Sequence, residues 1–358
     1  MDVAMFSLFS AITAGGVGSP STPDAFNNKF KYPILVRDIV IDWDWTIPTR
    51  AVAQTYGAPL GDAIRIQVKY CNQPLTSGYI PVRLLGHISD WRGSTPGFTV
   101  STAVSGSTLH SSFRWVFRRP LWLPPDAPLT IQIQHQNDFA VNVPAAAQDV
   151  DVTVRGTLDE SGVIPQFVDV PYAAMFLGAV QSTVVANTTG VAPVVTERSG
   201  QTDLFNPFDQ TLMLERMKYE ISVSSHGNDG ATNANFAPTD EVSAQDQTSQ
   251  LNNGQAYGLD RRYVVIKLSS SDGRNLIQNF TPIGGVLSTT QYRRGMANNT
   301  ILEPGAFYLA TIQSQMPLFT DRAAPPPIPF QMRTAVGFNA FRRLTVPEIF
   351  TPYPGFAG

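Results

Sequence analysis

Two stretches of this chain repeat one another half a chain length apart. FRWVFRRPLWLPPDAPLTIQIQHQ, from Phe113, aligns without gaps on YRRGMANNTILEPGAFYLATIQSQ, from Tyr292, an offset of 292 − 113 = 179 in a chain of 358 residues. The offset sets Arg114 on Arg293, Leu123 on Leu302, Pro125 on Pro304, Ile133 on Ile312 and Gln134 on Gln313. It also sets Arg37 on Arg216, and a shift of two residues sets Gly156 on Gly337, since 337 − 156 = 181. One offset running through a strand, a proline turn and a second strand predicts a duplicated fold: what the first half builds, the second builds again.

The repeated unit reads as β-structure. In AIRIQVKY, Ile64, Ile66, Val68 and Tyr70 share one face while Arg65, Gln67 and Lys69 share the other, the period of a strand with one buried side. Leu129, Ile131 and Ile133 alternate likewise with Thr130, Gln132 and Gln134. Pro125 and Pro304 pre-set φ for a turn, and Asp126 and Gly305 tolerate the unusual backbone that goes with it. Other strand candidates in the first half are YPILVRDIVIDWDW, IPVRLLGHI, FRWVFRRP and VDVTVRGTL. The second half offers LMLERMKYEISVSS, RRYVVIKLSS, FTPIGGVL, QYRRGM, FYLATIQSQ and FQMRTAVGF in matching order. With roughly seven or eight candidates per half, each is long enough for a Greek-key or jelly-roll sandwich. The expected fold is all-β, two tandem jelly-roll-like sandwiches, over 29–160 and 205–345 with a crossover at 161–204 and a tail at 346–358.

Composition narrows the function. Charged residues are 15% of the chain and the formal charge is −3, without the basic stripe that general phosphate binding needs. One cysteine, Cys71, permits no internal disulfide, and His87, His110, His135 and His226 are too scattered for a zinc site. No metal and no cofactor is expected. A weakly charged polar surface suits a chain that lies against copies of itself.

Residues 1–28 admit two readings. MDVAMFSLFSAITAGG is too short to span a bilayer, and forms either an arm ordering on a neighbouring subunit or a short helix or strand packed on its own domain. The glycines and serines that follow favour an adaptable assembly arm, with Met5, Phe6 and Phe9 as contacts. Residues 227–258 form a long polar loop, suited to an exposed tip or a neighbour contact.

Catalytic signals are weak, and no enzyme is expected. There is no HExxH, and GSTPG at 93–97 lacks the lysine of a phosphate loop. His87 with Asp90 reads as loop polarity, and Cys71 as a structural thiol. Asp42 and Asp44 alternate with Trp43 and Trp45, a spacing that would suit a sugar site but equally a solvated acid face behind buried indoles. The basic residues Arg114, Arg118 and Arg119, interleaved with Trp115 and Phe117, and their repeat partners Arg293 and Arg294, read best as intersubunit or sheet-flanking contacts. Nucleic acid or anionic lipid is the weaker alternative.

The half-chain offset, the paired sandwiches and the repeated LPPDAPLTIQIQHQ and LEPGAFYLATIQSQ segments resemble the double-jelly-roll major capsid proteins of icosahedral, often membrane-containing, viruses and bacteriophages, over about residues 30–345. The resemblance implies a virion protein whose two sandwiches stand side by side normal to the capsid surface. It implies three chains in a pseudo-hexagonal capsomer, neighbouring capsomers and minor capsid proteins as partners, and an N-terminal arm near the particle interior or membrane. A phage collar, baseplate or fibre component and a carbohydrate-binding module are the alternatives the same strand pattern leaves open.

Overall fold

The computed structural model describes residues 1–13, 21, 23–47, 64–82, 85, 88, 99–100, 107–135, 147–181, 199–225, 241–243, 264–271, 275–282, 293–295, 301–314 and 330–351. The first half runs β1 (Asp2–Thr13), β2 (Asp24–Asn27), β3 (Ile34–Ile47), β4 (Ile64–Tyr70), β5 (Gln73–Pro74), β6 (Ile80–Pro81), β7 (Thr99–Val100), β8 (Ser107–Leu123), β9 (Pro128–His135) and β10 (Ala147–Leu158). These strands make two sheets, one in the order β1-β10-β3-β8-β7 and the other β2-β9-β4-β5 with β6 also on β4. Their inward faces meet in one core, where Ile39 and Ile41 of β3, Trp115 of β8 and Val152 of β10 join Ile66 and Val68 of β4 and Ile131 and Ile133 of β9. Each such side chain contributes about 1.5–3 kcal/mol by leaving water, and the period-2 alternation delivers all of them to the same side.

The second half runs β11 (Phe167–Gln181), β12 (Ser199–Phe205), β13 (Leu212–Ser225), β14 (Glu241–Ser243), β15 (Val264–Ser270), β16 (Asn275–Pro282), β17 (Arg293–Gly295), β18 (Ile301–Leu302), β19 (Phe307–Ser314) and β20 (Phe330–Thr345), then a short helix α1 (Val346–Phe350). Its sheets are β11-β20-β13-β14, with β17 and β18 also on β13, and β12-β19-β15-β16. Exchanging β1 for β11, β10 for β20, β3 for β13, β2 for β12, β9 for β19 and β4 for β15 turns β1-β10-β3 into β11-β20-β13 and β2-β9-β4 into β12-β19-β15. The architecture is mostly β-strand with jelly-roll-like sheets.

The repeat extends to hydrogen bonds. Ala127 N–H donates to Pro124 O at 3.2 Å and Ala306 N–H to Glu303 O at 3.0 Å, closing turns in which Asp126 (φ 59) and Gly305 (φ 70) hold the left-handed position after a proline. Against each turn sits a fully buried asparagine. Asn28 Nδ2 donates to Tyr32 O and Leu123 O while its Oδ1 accepts from Phe30 N–H. Asn206 does the same with Gln210 O, Leu302 O and Phe208 N–H.

Register corrects part of the sequence alignment. Both opening strands carry a bulge, between Val36 and Asp38 on β3 and between Leu214 and Arg216 on β13, so the counterpart of Arg216 is Asp38 rather than Arg37. Gly156 pairs with Val36 just before its bulge, as Ala340 pairs with Leu214 before the other, so Ala340 and not Gly337 stands in for Gly156. The Arg114–Arg293 correspondence holds, because Asp38 lies opposite Val116 and Arg216 opposite Gly295.

Four segments differ from the sequence reading. Residues 2–13 are an edge strand on β10, which takes the packed-strand alternative and sets aside the helix and the assembly arm, because Val3, Met5 and Phe9 point to the core. The expected crossover at 161–204 contains β11 and most of β12, the first two strands of the second half. Among the described residues of IPVRLLGHI, Ile80–Pro81 is strand, and Val82, Leu85 and Ile88 are helical and buried, a spacing of three that one helix face accommodates. The expected tail begins with α1, whose Ile349 is buried in the first half's core. Of the 227–258 loop, only β14 lies within the described residues.

Candidate assembly surface

The first-half sheet that begins with β1 turns an outer face away from the core, and its charges gather at the β3 bulge. Between Val36 and Asp38 the partner strand β8 spends the residues from Phe117 to Pro120 against the single Arg37, and Pro120 donates nothing to the ladder. Asp38 is buried there and takes two arginines, Arg114 Nη2 at 2.6 Å and Arg155 Nε at 2.6 Å. One buried carboxylate between two half-exposed guanidiniums leaves a net positive charge at the surface. Arg37 pairs with Asp2 at 3.0 Å and Arg118 stands exposed on the bulge. These groups line an open cleft of about 740 Å³. Beside it, β1 presents Ala4, Phe6 and Leu8 to solvent, with Phe6 64% exposed. A cationic cleft beside an apolar strip offers binding surface. Among the described residues no group of three or more His, Cys, Asp or Glu could hold a metal ion.

A second surface is already occupied, by the other half of the same chain. Arg119, next to Arg118, faces the opposite way: its Nη1 lies 2.7 Å from Asp169 and its guanidinium 3.9 Å from the Phe341 ring centre, with Glu215 at 3.8 Å. Arg343 completes the bridge to Asp169 at 2.9 Å. Burial pushes the Asp169 carboxyl up, but hydrogen bonds from Arg343 and Arg119 outweigh it and hold the group below its ordinary value. Leu75–Ser77 meets β11, where Ala173 N–H donates to Leu75 O at 2.8 Å and Ser77 N–H to Ala173 O at 2.9 Å. Buried Arg342 stacks 3.6 Å over Phe208 and donates to Gln73 Oε1 at 2.9 Å. Gln73 Nε2 in turn donates to Glu348 O within α1 and to Thr351 O at its C-cap. The Glu348 carboxylate accepts from Thr345 N–H and Oγ1, which holds it below its ordinary value. Val168, Val170, Leu344 and Ile349 of the second half belong to the first half's core cluster, so the halves share apolar packing as well as polar bonds.

The residues singled out from sequence are thus divided. Met5 packs partly against the core, Phe6 is exposed and Phe9 is buried. Arg114 and Arg118 line the cleft, whereas Arg119 belongs to the seam. Trp115 and Phe117 are buried, 4.8 Å apart edge to face, so they lie behind the arginines and offer no stacking platform. Arg293 and Arg294 lie on β17 beside β13, with side chains outside the described residues. Asp42 is half-buried, and the side chains of Trp43, Asp44 and Trp45 lie outside the described residues, as do those of the four histidines. Cys71 sits in a turn with φ 52, and burial pushes its thiol up to about 12. Sequence reasoning missed Asp38, Arg155, Asp169, Gln73 and Arg342. Asp38 and Arg155 had a signal, since each is a charge within an apolar run, ILVRDIVI and VDVTVRG.

Sequence comparison matches no family model and no curated protein. Among solved structures, the chain is similar to PBCV-1 VP54 fitted into a reconstruction of the virophage Sputnik, at 11% identity over 97% of this chain and 96% of that one, TM-score 0.49. It is similar to the STIV MCP at 9% identity over 96% and 97%, TM-score 0.43. The mavirus major capsid protein follows at 8% identity over 95% and 90%, TM-score 0.37. These are likenesses at low identity, and the fold described above rests on its own strand order.

Proposed function

We propose that this chain is a structural protein of a virus particle, a double jelly roll that assembles as a trimer into pseudo-hexagonal capsomers. The observation that carries the reading is the repeat of one sheet order in both halves, joined by a seam of strand pairing, ion pairs and shared core. A chain that sets two like units rigidly side by side can close a six-unit ring with three copies. The outer face of the first half, with its cationic cleft and apolar strip, supplies surface for lateral contact. The role of the mavirus neighbour, a major capsid protein, is taken over here as part of the proposal. Light scattering on purified chain followed by negative-stain electron microscopy tests it. The expected result is a three-chain species of hexagonal outline that tiles into shells. A chain that stays monomeric across salt, pH and concentration would sink the reading, and rings found only at a tail or fibre junction would move it to the collar or baseplate alternative.

A further inference from the structure

The two halves differ most where they should be alike. β1 and β11 occupy the same place in the repeat. Ala4 pairs with Arg155, next to Gly156 and the β3 bulge, and Ala173 pairs with Asn339, next to Ala340 and the β13 bulge. Ala4 is therefore the counterpart of Ala173. Ala173 is 0% exposed because Leu75–Ser77 runs along it as a parallel bridge, whereas Ala4 is exposed.

The free edge of β1 presents the same backbone groups. Met1 O accepts from Leu158 N–H at 2.9 Å, which fixes Met1, Val3 and Met5 as the residues bonded to β10. In an antiparallel pair the intervening residues aim their amides the other way. Asp2, Ala4 and Phe6 thus direct N–H and C=O groups away from the sheet, and no strand among the described residues pairs with that edge. An edge strand with an apolar outward face is a template for another chain.

The repeat also identifies what fits it. Lys69 lies opposite Pro74 and Ile66 opposite Ile80; in the second half Ser269 lies opposite Asn275 and Ile266 opposite Thr281. Both pairs give one step, 275 − 74 = 281 − 80 = 201, which sets Leu276–Gln278 on Leu75–Ser77. Just beyond it Asn279 and Phe280 are exposed. We infer that Leu276–Gln278 of one copy pairs with the outer edge of β1 in the next, Ala4 N–H donating to Leu276 O and Gln278 N–H to Ala4 O. The contact repeats between chains the bonds that Ala173 makes within one, and it covers Ala4, Phe6 and Leu8 as the seam covers β11. It rests on the proposed assembly and specifies its heterologous interface.

Cysteine pairing tests the register. In a Cys71→Ser chain, which has no other thiol, Ile277 takes the place of Thr76, directly across the bridge. Neighbouring strands lie about 4.8 Å apart, within disulfide reach. Under mild oxidation, chains with Ala4→Cys mixed with chains with Ile277→Cys should give a covalent two-chain product, and chains carrying both changes a covalent three-chain product; neither single variant should cross-link alone. Ala4→Pro removes only an outward N–H, leaving pairing to β10 intact, and should raise the concentration at which trimers dissociate about tenfold or more. Trimers in light scattering without the Ala4–Ile277 cross-link overturn this interface and leave the proposed assembly standing. A chain that remains monomeric overturns both.

Discussion

β11 is buried on both faces over Val170–Ala174, while its counterpart β1 is buried on one. The outward residues of β11 over this stretch, Pro171 and Ala173, are small, and Ala173 lies beneath Leu75–Ser77; those of β1 are Ala4, Phe6 and Leu8, apolar yet facing water. Identical backbone placement with different cover teaches that duplication preserved the strand order and the turn chemistry and left the outer faces to diverge. The same holds at the bulges, where Arg37-Asp38 of the first half stands where the second has Glu215-Arg216. The charge order is reversed, and Glu215 now lies 3.8 Å from Arg119 across the seam.

The equivalence of the two halves breaks most visibly at the buried asparagines. Asn28→Ala and Asn206→Ala each leave two carbonyls and one N–H without a partner in a fully buried site. Each should lower stability by about 2–4 kcal/mol, read as a shift of the urea midpoint. Comparable losses would support the equivalence of the turns; a loss at Asn206 less than half that at Asn28 would mean the second turn is held by something else.

A smaller effect separates Gly156 from Ala340. A Cβ at Gly156 would lie 2.5 Å from Leu35 O and 2.6 Å from Ile34 Cγ2, the first of these backbone, so Gly156→Ala should cost about 1–3 kcal/mol. Ala340 already carries a Cβ at the equivalent site, and Ala340→Gly should cost about 1 kcal/mol or less. Equal costs in urea unfolding would show that the two bulges do not correspond.

These contrasts also explain what the sequence could reveal. The β8–turn–β9 unit was legible because proline followed by Asp or Gly and then an alternating strand is local chemistry, copied with a constant spacing. β2, β11 and β12 were missed as strands of their halves, and for β1 the sequence leaves open an arm or a packed helix or strand. β2 has only four residues, and β1 is apolar on both sides, which hides its period. Of the surface, the arginines of β8 stood out by composition, but nothing local tells that Arg118 faces the cleft and its neighbour Arg119 the seam. The partners of Arg119 are 50 and more residues away, Asp169 on β11 and Phe341 on β20. Register against β3 decides the matter, and a bulge that spends several residues against one cannot be placed from one strand alone.

The seam should respond to acid. Asp169 and Glu348 both titrate below their ordinary values, 3.8 and 4.5, when folded. A depressed carboxyl adds stability that is complete above its unfolded value and is lost as pH falls through the folded one. Acidification below about pH 4.5 should therefore loosen the second half from the first. Asp169→Asn should remove part of this pH dependence, at a cost near pH 7 of the order of 1 kcal/mol for so exposed a pair of arginines. Hydrogen exchange of β11 at two pH values reads the effect; exchange that acid leaves unchanged would count against it.

The finest comparison lies in the paired turns. Asp126 and Gly305 share the left-handed position at φ 59 and φ 70, one paying for a side chain there and the other not. The left-handed conformation costs a non-glycine residue about 1 kcal/mol, less for Asp, whose carboxylate bonds locally. Glycine there relieves that strain but raises the entropy of the unfolded chain, by about 0.4–1 kcal/mol. For Asp126→Gly the two nearly cancel, and the urea midpoint should move by less than about 0.5 kcal/mol. Gly305→Ala acquires the strain with no local bond to offset it, although nothing lies within 4 Å of an added Cβ. It should lose about 1 kcal/mol, and Gly305→Asp should lose less than Gly305→Ala. The order of those two variants is the deciding reading: Gly305→Asp costing more would mean that the acid at Asp126 is tolerated for reasons outside the turn, and the two turns would then be alike in shape alone.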